Sequence, residues 1–283
     1  MNHYALGVQY DGTSYSGFQR QAEARTVQEE LESALSSIAA EPVSVTAAGR
    51  TDRGVHATQQ VVSFETSVDR PDRAWIVGVN SLLPETIGIN WVRQVNAKFS
   101  ARYSALWRRY IYVYGHRADY QVFLRDFVSW TNATLDVVRM SEVAELFLGE
   151  QDFSCLRAAN CTSRTPFRHV YHLDVISAGH FVIIDIAANA FLLHMVRNLA
   201  AVLHDVGNNK LNRSDVEKLL ESRDRNLSPP TAHASGLYLA AVGYEQEISL
   251  DSSIRVPAIL GRVHELFRPV TLPCDYYRRP ISP

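Results

Sequence analysis

The run Arg108 to His116, RRYIYVYGH, limits what this chain can fold into more than any other segment. Aromatic and β-branched residues favour strands. The two-residue period of a strand sets Tyr110, Tyr112 and Tyr114 on one face and Ile111 and Val113 on the other. One face can enter a core while the other presents rings, and rings beside Arg108 and Arg109 can stack a nucleobase and hold its phosphate. Packing of all three tyrosines under a helix satisfies the same pattern, and spacing alone does not choose one of them.

The same periodicities organise the rest of the chain. HYALGVQY alternates as a first strand ended by Asp11-Gly12. A helix is predicted from about Thr26, with Glu29 at the capping-box position and Val27, Leu31, Ala34, Leu35 and Ile38 at helical spacing. Strands over 43–47 and 58–64 flank the turn-rich GRTDRGVHA, and a short helix over 74–82 and a strand over 87–95 follow. A second unit opens near Ser104 with the tyrosine strand. It continues with a helix over 136–148, paired strands over 170–176 and 181–186, helices over 191–206 and 215–221, and a strand over 237–244. This pattern predicts an α/β (α+β) protein of two similar mixed domains, residues 1–104 and 105–245, with antiparallel-rich sheets and helices on one face of each. Residues 246–283, with Pro257, Pro269, Pro273, Pro280 and Pro283, read as a loosely structured extension of open role.

A chain of 283 residues, 46% hydrophobic and 20% charged, is neither disordered nor low in complexity. Cys155, Cys161 and Cys274 are too few and odd in number for a disulfide framework, which fits a reducing compartment. The opening MNHYALGVQYDG has no basic leader, and the apolar region 181–193 is interrupted by Asp185 and Asn189. A cytoplasmic protein without membrane contact is expected. With 28 Lys+Arg against 30 Asp+Glu, the formal charge of -2 offers no global attraction to a polyanion. A local basic surface has to do so. Residues 98–125 hold Lys98, Arg102, Arg108, Arg109, Arg117 and Arg125 against Asp119 alone, and 153–172 hold Arg157, Arg164 and Arg168 with no acidic residue. Such stretches suit phosphate contacts, as they also suit solvated arginines.

Two further segments carry chemistry. In AGRTDRGVHA, residues 48–57, Gly49 and Gly54 let a loop turn tightly while Arg50 and Arg53 flank Asp52. Neighbouring cations favour the carboxylate form that a nucleophile requires, although an aspartate satisfying backbone donors in a turn gives the same pattern. In NAFLLHMVRNLAAVLHDVG, Phe191, Met195, Leu199, Val202 and Val206 follow core spacing, and His194, Arg197, Ala201 and His204 lie on another face. His56, His194 and His204 are possible acids or bases, and equally packed or surface histidines. Cys155, Cys161, His169 and His172 lack a zinc-ligand spacing, and neither a dinucleotide fingerprint nor a GK[ST] phosphate loop occurs, so no metal or cofactor is expected.

Taken in order, YDGTSYSGFQRQ, GRTDRGVHATQQVVSF, NSLLP, FSARYSALWRRYIY, DFSCLRAANCTSRTP, NAFLLHMVRN and GLYLAAVGY resemble the tRNA pseudouridine synthase A family over residues 4 to about 244. Ala201 stands where relatives often carry glycine, and the tail from about Glu245 matches nothing in the family. The resemblance implies the pseudouridine synthase fold and isomerisation of uridines at positions 38, 39 and 40 of the tRNA anticodon stem-loop by a homodimer. It implies that Asp52 is the catalytic aspartate, that Tyr110 is the active-site aromatic and that Arg197 pairs with the aspartate. Arg50 would help hold the flipped nucleotide. Apart from the resemblance, Arg53 and His56 in the same loop and Arg108 and Arg109 on the tyrosine strand are expected to bind substrate, and Arg117 and Arg164 in the basic stretches to meet phosphates. The Tyr110 hydroxyl is then a candidate acceptor for the proton that leaves uracil C5. A tRNA-binding protein without catalysis, or a metal-free nucleoside hydrolase using Asp52, are the competing readings.

Overall fold

The computed structural model describes residues 1–245, 248, 250, 252–261 and 264–272. Pro273, Cys274, Pro280 and Pro283 lie outside them. Eight strands run side by side as one sheet in the order β4-β1-β3-β10-β5-β9-β8-β7, with short β2 paired to β3 and short β6 to β5. The strands are β1 Asn2–Tyr10, β2 Val45–Ala47, β3 His56–Thr66, β4 Ile87–Gln94, β5 Trp107–His116, β6 Ser129–Thr131, β7 Gly149–Asp152, β8 Phe167–Ala178, β9 Phe181–Ala188 and β10 Leu237–Gly243. The last strand sits at the middle. β10 runs parallel to β3, with Tyr238 opposite His56, and antiparallel to β5, with Leu239 opposite Tyr110. It thereby joins the sheet of residues 2–94 to that of residues 107–188. The segment 95–106, where the two expected units meet, connects β4 to β5.

Five helices pack on one face: α1 Val27–Ala39, α2 Val79–Leu82, α3 Val137–Ala144, α4 Met195–Gly207 and α5 Arg213–Ser222. α1 begins as its sequence predicts, with the Thr26 hydroxyl accepting from Glu29 N at 3.4 Å and Val27, Leu31, Ala34 and Leu35 buried. Asp136 caps α3 in the same way through Arg139 N, and the expected last turn to 148 is a 3₁₀ turn, Glu145–Phe147. A π turn at Ala74–Gly78 leads into α2. The helix expected from Phe191 begins only at Met195. The Asn189 side chain accepts from His169 N and Ala190 N, which ends β9 in a turn and carries 190–194 away from helical geometry.

The tyrosine strand is buried on both faces. Tyr110, Tyr112 and Tyr114 enter the helix-side core, so the rings are not presented to solvent as a set. Ile111 and Val113 enter a second core on the back of the sheet with Ile183, Tyr238 and Ala240. That back core is closed by the tail. Arg255 N donates to Ala240 O at 3.0 Å, Thr58 donates to Arg255 O, and Leu260 and Phe267 are buried against the sheet. The prolines prevent regular strands, as the sequence indicates, yet 252–261 and 264–272 are a packed strap and not a loose extension. Among the described residues no helix is long and apolar enough to cross a membrane.

Candidate active site

Asp52 lies in the connection from β2 to β3, and that loop is bedded on the segment after β1. Phe18 N donates to Thr51 O at 3.0 Å, and the Tyr10 and Thr51 hydroxyls meet at 2.8 Å. Gln60 Nε2 donates to Gly49 O at 2.6 Å while Gly49 N donates back to Gln60 Oε1 at 3.2 Å. Gly12 and Gly17 permit this close approach. A Cβ on Gly12 would stand 2.0 Å from Val55 O, and Gly17, at φ +95°, would place one 2.7 Å from Thr51 O. The separate motifs YDGTSYSGFQ and GRTD are thus two sides of one contact.

From the opposite half, α4 brings Arg197 to the carboxylate. Arg197 Nη1 is 3.4 Å from Asp52 Oδ2, and its Nε donates to Ala232 O at 2.8 Å, which fixes the guanidinium plane. His194 Nε2 is 3.5 Å from the same oxygen. Burial pushes the His194 imidazole below its ordinary pKa, and the Arg197 and Arg225 cations act the same way against the pull of Asp52. The ring next to the carboxylate is therefore neutral near pH 7. Tyr110 forms the floor, edge-on to Phe191 with ring centroids 5.1 Å apart. Its hydroxyl stands 3.3 Å from where a Cβ on Gly49 would be. Burial raises the Tyr110 pKa above the ordinary phenol value, Tyr10 and Asp52 add to the rise, and Arg108 opposes it.

These groups line a cleft of about 730 Å³, a size suited to a nucleotide-sized ligand. Arg50, Arg53, Arg102, Arg108, Arg168 and Arg197 line it, and Asp52 is its one acidic lining residue among those described. The near-neutral chain thus concentrates positive charge around a single carboxylate.

The expected site residues divide. Asp52, Tyr110, Arg197, Arg50, Arg53 and Arg108 meet at the cleft. Arg50 and Arg53 are exposed there. Arg108 instead ties the walls together: its Nε donates to Ala48 O at 3.0 Å, and its Nη1 to Ala105 O at 3.1 Å and Asn189 O at 2.9 Å. Arg109 is not at the cleft, because strand alternation turns it to the back face, where it pairs with buried Asp185. His56 is likewise absent from the cleft lining. Its Nε2 donates to Asp126 O at 2.9 Å, its Nδ1 faces Gly12 N at 3.1 Å, and its ring stacks on Tyr238. Its contribution is to anchor the segment under the Asp52 loop. Arg117 lies past the other end of β5, against Tyr120, and is also off the cleft. Arg164 is exposed on the loop beside Ser163, at the cleft's margin and outside its lining.

His194, a possible acid or base in the sequence, lines the cleft, and so do Arg102, Arg168 and Phe191, which the sequence did not mark as site residues. The basic stretches contained the two arginines, and His194 sits three residues before Arg197, but nothing in the spacing showed which side of the chain would face Asp52. Cys155 and Cys161 are free thiols, the former buried, and among the described residues no three His, Cys, Asp or Glu side chains gather as metal ligands.

The family model described as tRNA pseudouridine synthase matches residues 7–104 and 143–245. The tRNA pseudouridine synthase A of Escherichia fergusonii is 48% identical over 258 residues, covering 91% of this chain and 95% of that one. That of Klebsiella pneumoniae is 50% identical over 247 residues, covering 87% of this chain and 91% of that one. A chain of a solved Cbf5-Nop10-Gar1 complex aligns with 13% identity and a TM-score of 0.38, and this chain spans about half its length, 49%. From the sequence relatives and the family match together, the chain belongs to the tRNA pseudouridine synthase family.

Proposed function

We propose that this protein isomerises uridine to pseudouridine at positions 38, 39 and 40 of tRNA anticodon stem-loops, with Asp52 as the essential carboxylate. The observation that carries the reading is the cleft itself: one carboxylate, held by Arg197 and ringed by arginines, in a chain of that family. The reaction breaks the C1′–N1 bond, turns the uracil without releasing it, forms C1′–C5 and removes the C5 proton. It is redox-neutral and draws on no cofactor chemistry. A uridine has to leave its stack to reach the cleft, and the exposed Arg50 and Arg53 can hold the phosphates on either side while the base lies over Tyr110. Asp52 then attacks C1′ or C6, or assists loss of the C2′ proton on a glycal-like route.

Electrostatics support RNA as the partner. Phosphate contacts by the cleft arginines release counterions, so binding weakens steeply with salt despite the chain's formal charge of -2. The resemblance to the family supports a homodimer in which each tRNA touches both subunits, and a cytoplasmic location. The test is incubation of the protein alone with unmodified tRNA, followed by mapping of pseudouridine and assay for abasic sites. Pseudouridine at 38–40 establishes the activity. Tight binding without product indicates a binding protein, and free uracil indicates a hydrolase.

A further inference from the structure

Resting on the proposed activity, the geometry points to His194 as a second positioning residue: with Arg197 it holds Oδ2 of Asp52, so that Oδ1 is the oxygen presented to the nucleotide. Three independent features of the chain support this. His194 occupies the residue before α4, where a side chain ordinarily accepts a hydrogen bond from the first turn of the helix, and it makes no such bond. Its backbone is left-handed, φ 63°, a conformation that histidine adopts at some strain and that persists where surrounding structure imposes it. Its imidazole turns instead into the cleft, with Nε2 3.5 Å from Asp52 Oδ2.

Arg197 reaches that same Oδ2 at 3.4 Å, and among the described residues no hydrogen bond or ion pair engages Oδ1. Two donors on one oxygen orient the carboxylate and leave the other oxygen's lone pairs for the substrate. Both contacts are long: Arg197 makes a 3.4 Å hydrogen bond, and the His194 Nε2 approach of 3.5 Å is a close contact that needs a small shortening to become one, as catalytic contacts often do when substrate closes a site. Neutral imidazole donates through Nε2–H without adding a second full cation, which would draw electron density from the attacking oxygen. Arg197 supplies charge and His194 supplies direction.

The experiment separates this role from a merely structural one by using the left-handed backbone. Glycine at 194 relieves the strain and supplies no donor. Asparagine tolerates the same backbone and carries an amide donor. His194→Gly and His194→Ala are expected to fold, to bind tRNA within about twofold of the parent, and to slow single-turnover pseudouridine formation about 10- to 100-fold, less than the roughly 100- to 1000-fold for loss of a donor that touches the transition state itself. His194→Asn is expected to recover at least about a third of the loss on a logarithmic scale, with the Gly variant melting no lower than the Asn variant. A Gly variant at the parent rate, or an Asn variant as slow as Ala while folded and tRNA-bound, overturns the inference and leaves the activity standing. A parent protein that makes no pseudouridine overturns both, and is recognised by Asp52→Asn being no slower than the parent.

Discussion

Two aspartate–arginine–histidine groups lie on opposite faces of the sheet and are built from the same residue types to opposite ends. On the back, Asp185 is fully buried, Arg109 Nε donates to its Oδ1 at 2.7 Å, Arg109 Nη2 donates to Oδ2, and His172 Nε2 lies 2.8 Å from Oδ2. Phe267 from the tail closes over the guanidinium at 5.9 Å. In the cleft, Asp52 keeps 23% of its side chain exposed, and both partners stand at 3.4 to 3.5 Å on one oxygen. The back group has both carboxylate oxygens engaged at short range and has nothing left to offer. The cleft group is under-satisfied, and an under-satisfied carboxylate among cations is chemically available. Arg108 and Arg109, adjacent in sequence, fall on the two sides of this divide because a strand alternates.

If the comparison is right, disabling the open group removes chemistry and leaves the fold, and disabling the closed group does the reverse. The largest effect is expected from Asp52→Asn. The amide keeps shape and loses nucleophilicity, so pseudouridine formation falls by at least about 10⁴-fold while the melting curve and tRNA affinity stay near those of the parent. Measurable multiple turnover by that variant, once contaminating enzyme is excluded, would end the assignment. Next comes Arg109→Ala, which leaves Asp185 buried without its cation and is expected to destabilise the protein by about 3–5 kcal/mol. Denaturant titration reads the loss, and the rate per folded molecule should stay within about threefold of the parent. Arg197→Lys follows. Lysine retains charge but cannot bind both Ala232 O and Asp52 with one planar group, and a rate loss of about 30- to 100-fold at little change in stability is expected. Kinetics within twofold of the parent would show that Arg197 is only a solvated helix residue.

Most of the cleft was legible in the sequence because local rules place it. Alternation in β5 put Tyr110 and Arg108 on one face and two glycines in GRTDRG marked the loop, whereas His194, grouped with Arg197 by helical spacing, reaches the cleft from the left-handed residue before α4. What the sequence left open or misplaced is where a long-range contact decides. Burial of Tyr112 and Tyr114 depends on His233 O and the His204 ring, which lie about ninety to over a hundred residues away in sequence. The position of β10 between β3 and β5 is a property of the whole sheet, and no periodicity within GLYLAAVGY encodes its neighbours. Basic stretches told where arginines are dense but not which way they point, which is why Arg102 and Arg168 reach the cleft and Arg109 and Arg117 do not. The tail's prolines forbade regular structure without forbidding packing.

The smallest expected effect separates the cleft floor from the cleft wall through Tyr110→Phe. Burial is the main cause of the raised Tyr110 pKa, so at neutral pH the hydroxyl is a protonated donor and a poor phenolate base. Among the described residues no hydrogen bond satisfies it, and Tyr110 lines the cleft. Phenylalanine keeps the ring that the base lies on and loses one neutral donor, which predicts a decrease of about 3- to 10-fold in single-turnover rate with mature pseudouridine as product. The C5 proton then leaves through another acceptor. A Phe variant that binds tRNA and consumes uridine but halts before mature product would reverse this and give the hydroxyl the proton. The same residue has an alkaline signature. Burial also pushes Tyr10 and Tyr112 up to about 12, so the unfolded chain loses these phenolic protons near pH 10 while the folded chain keeps them. Above pH 10 the unfolded state binds fewer protons, stability falls with rising pH, and the fall continues until the folded groups ionise as well. Removing the Tyr110 hydroxyl should make that fall shallower by up to one proton in the dependence of unfolding free energy on pH between 10 and 12, whereas Asp52→Asn should leave the slope close to that of the parent.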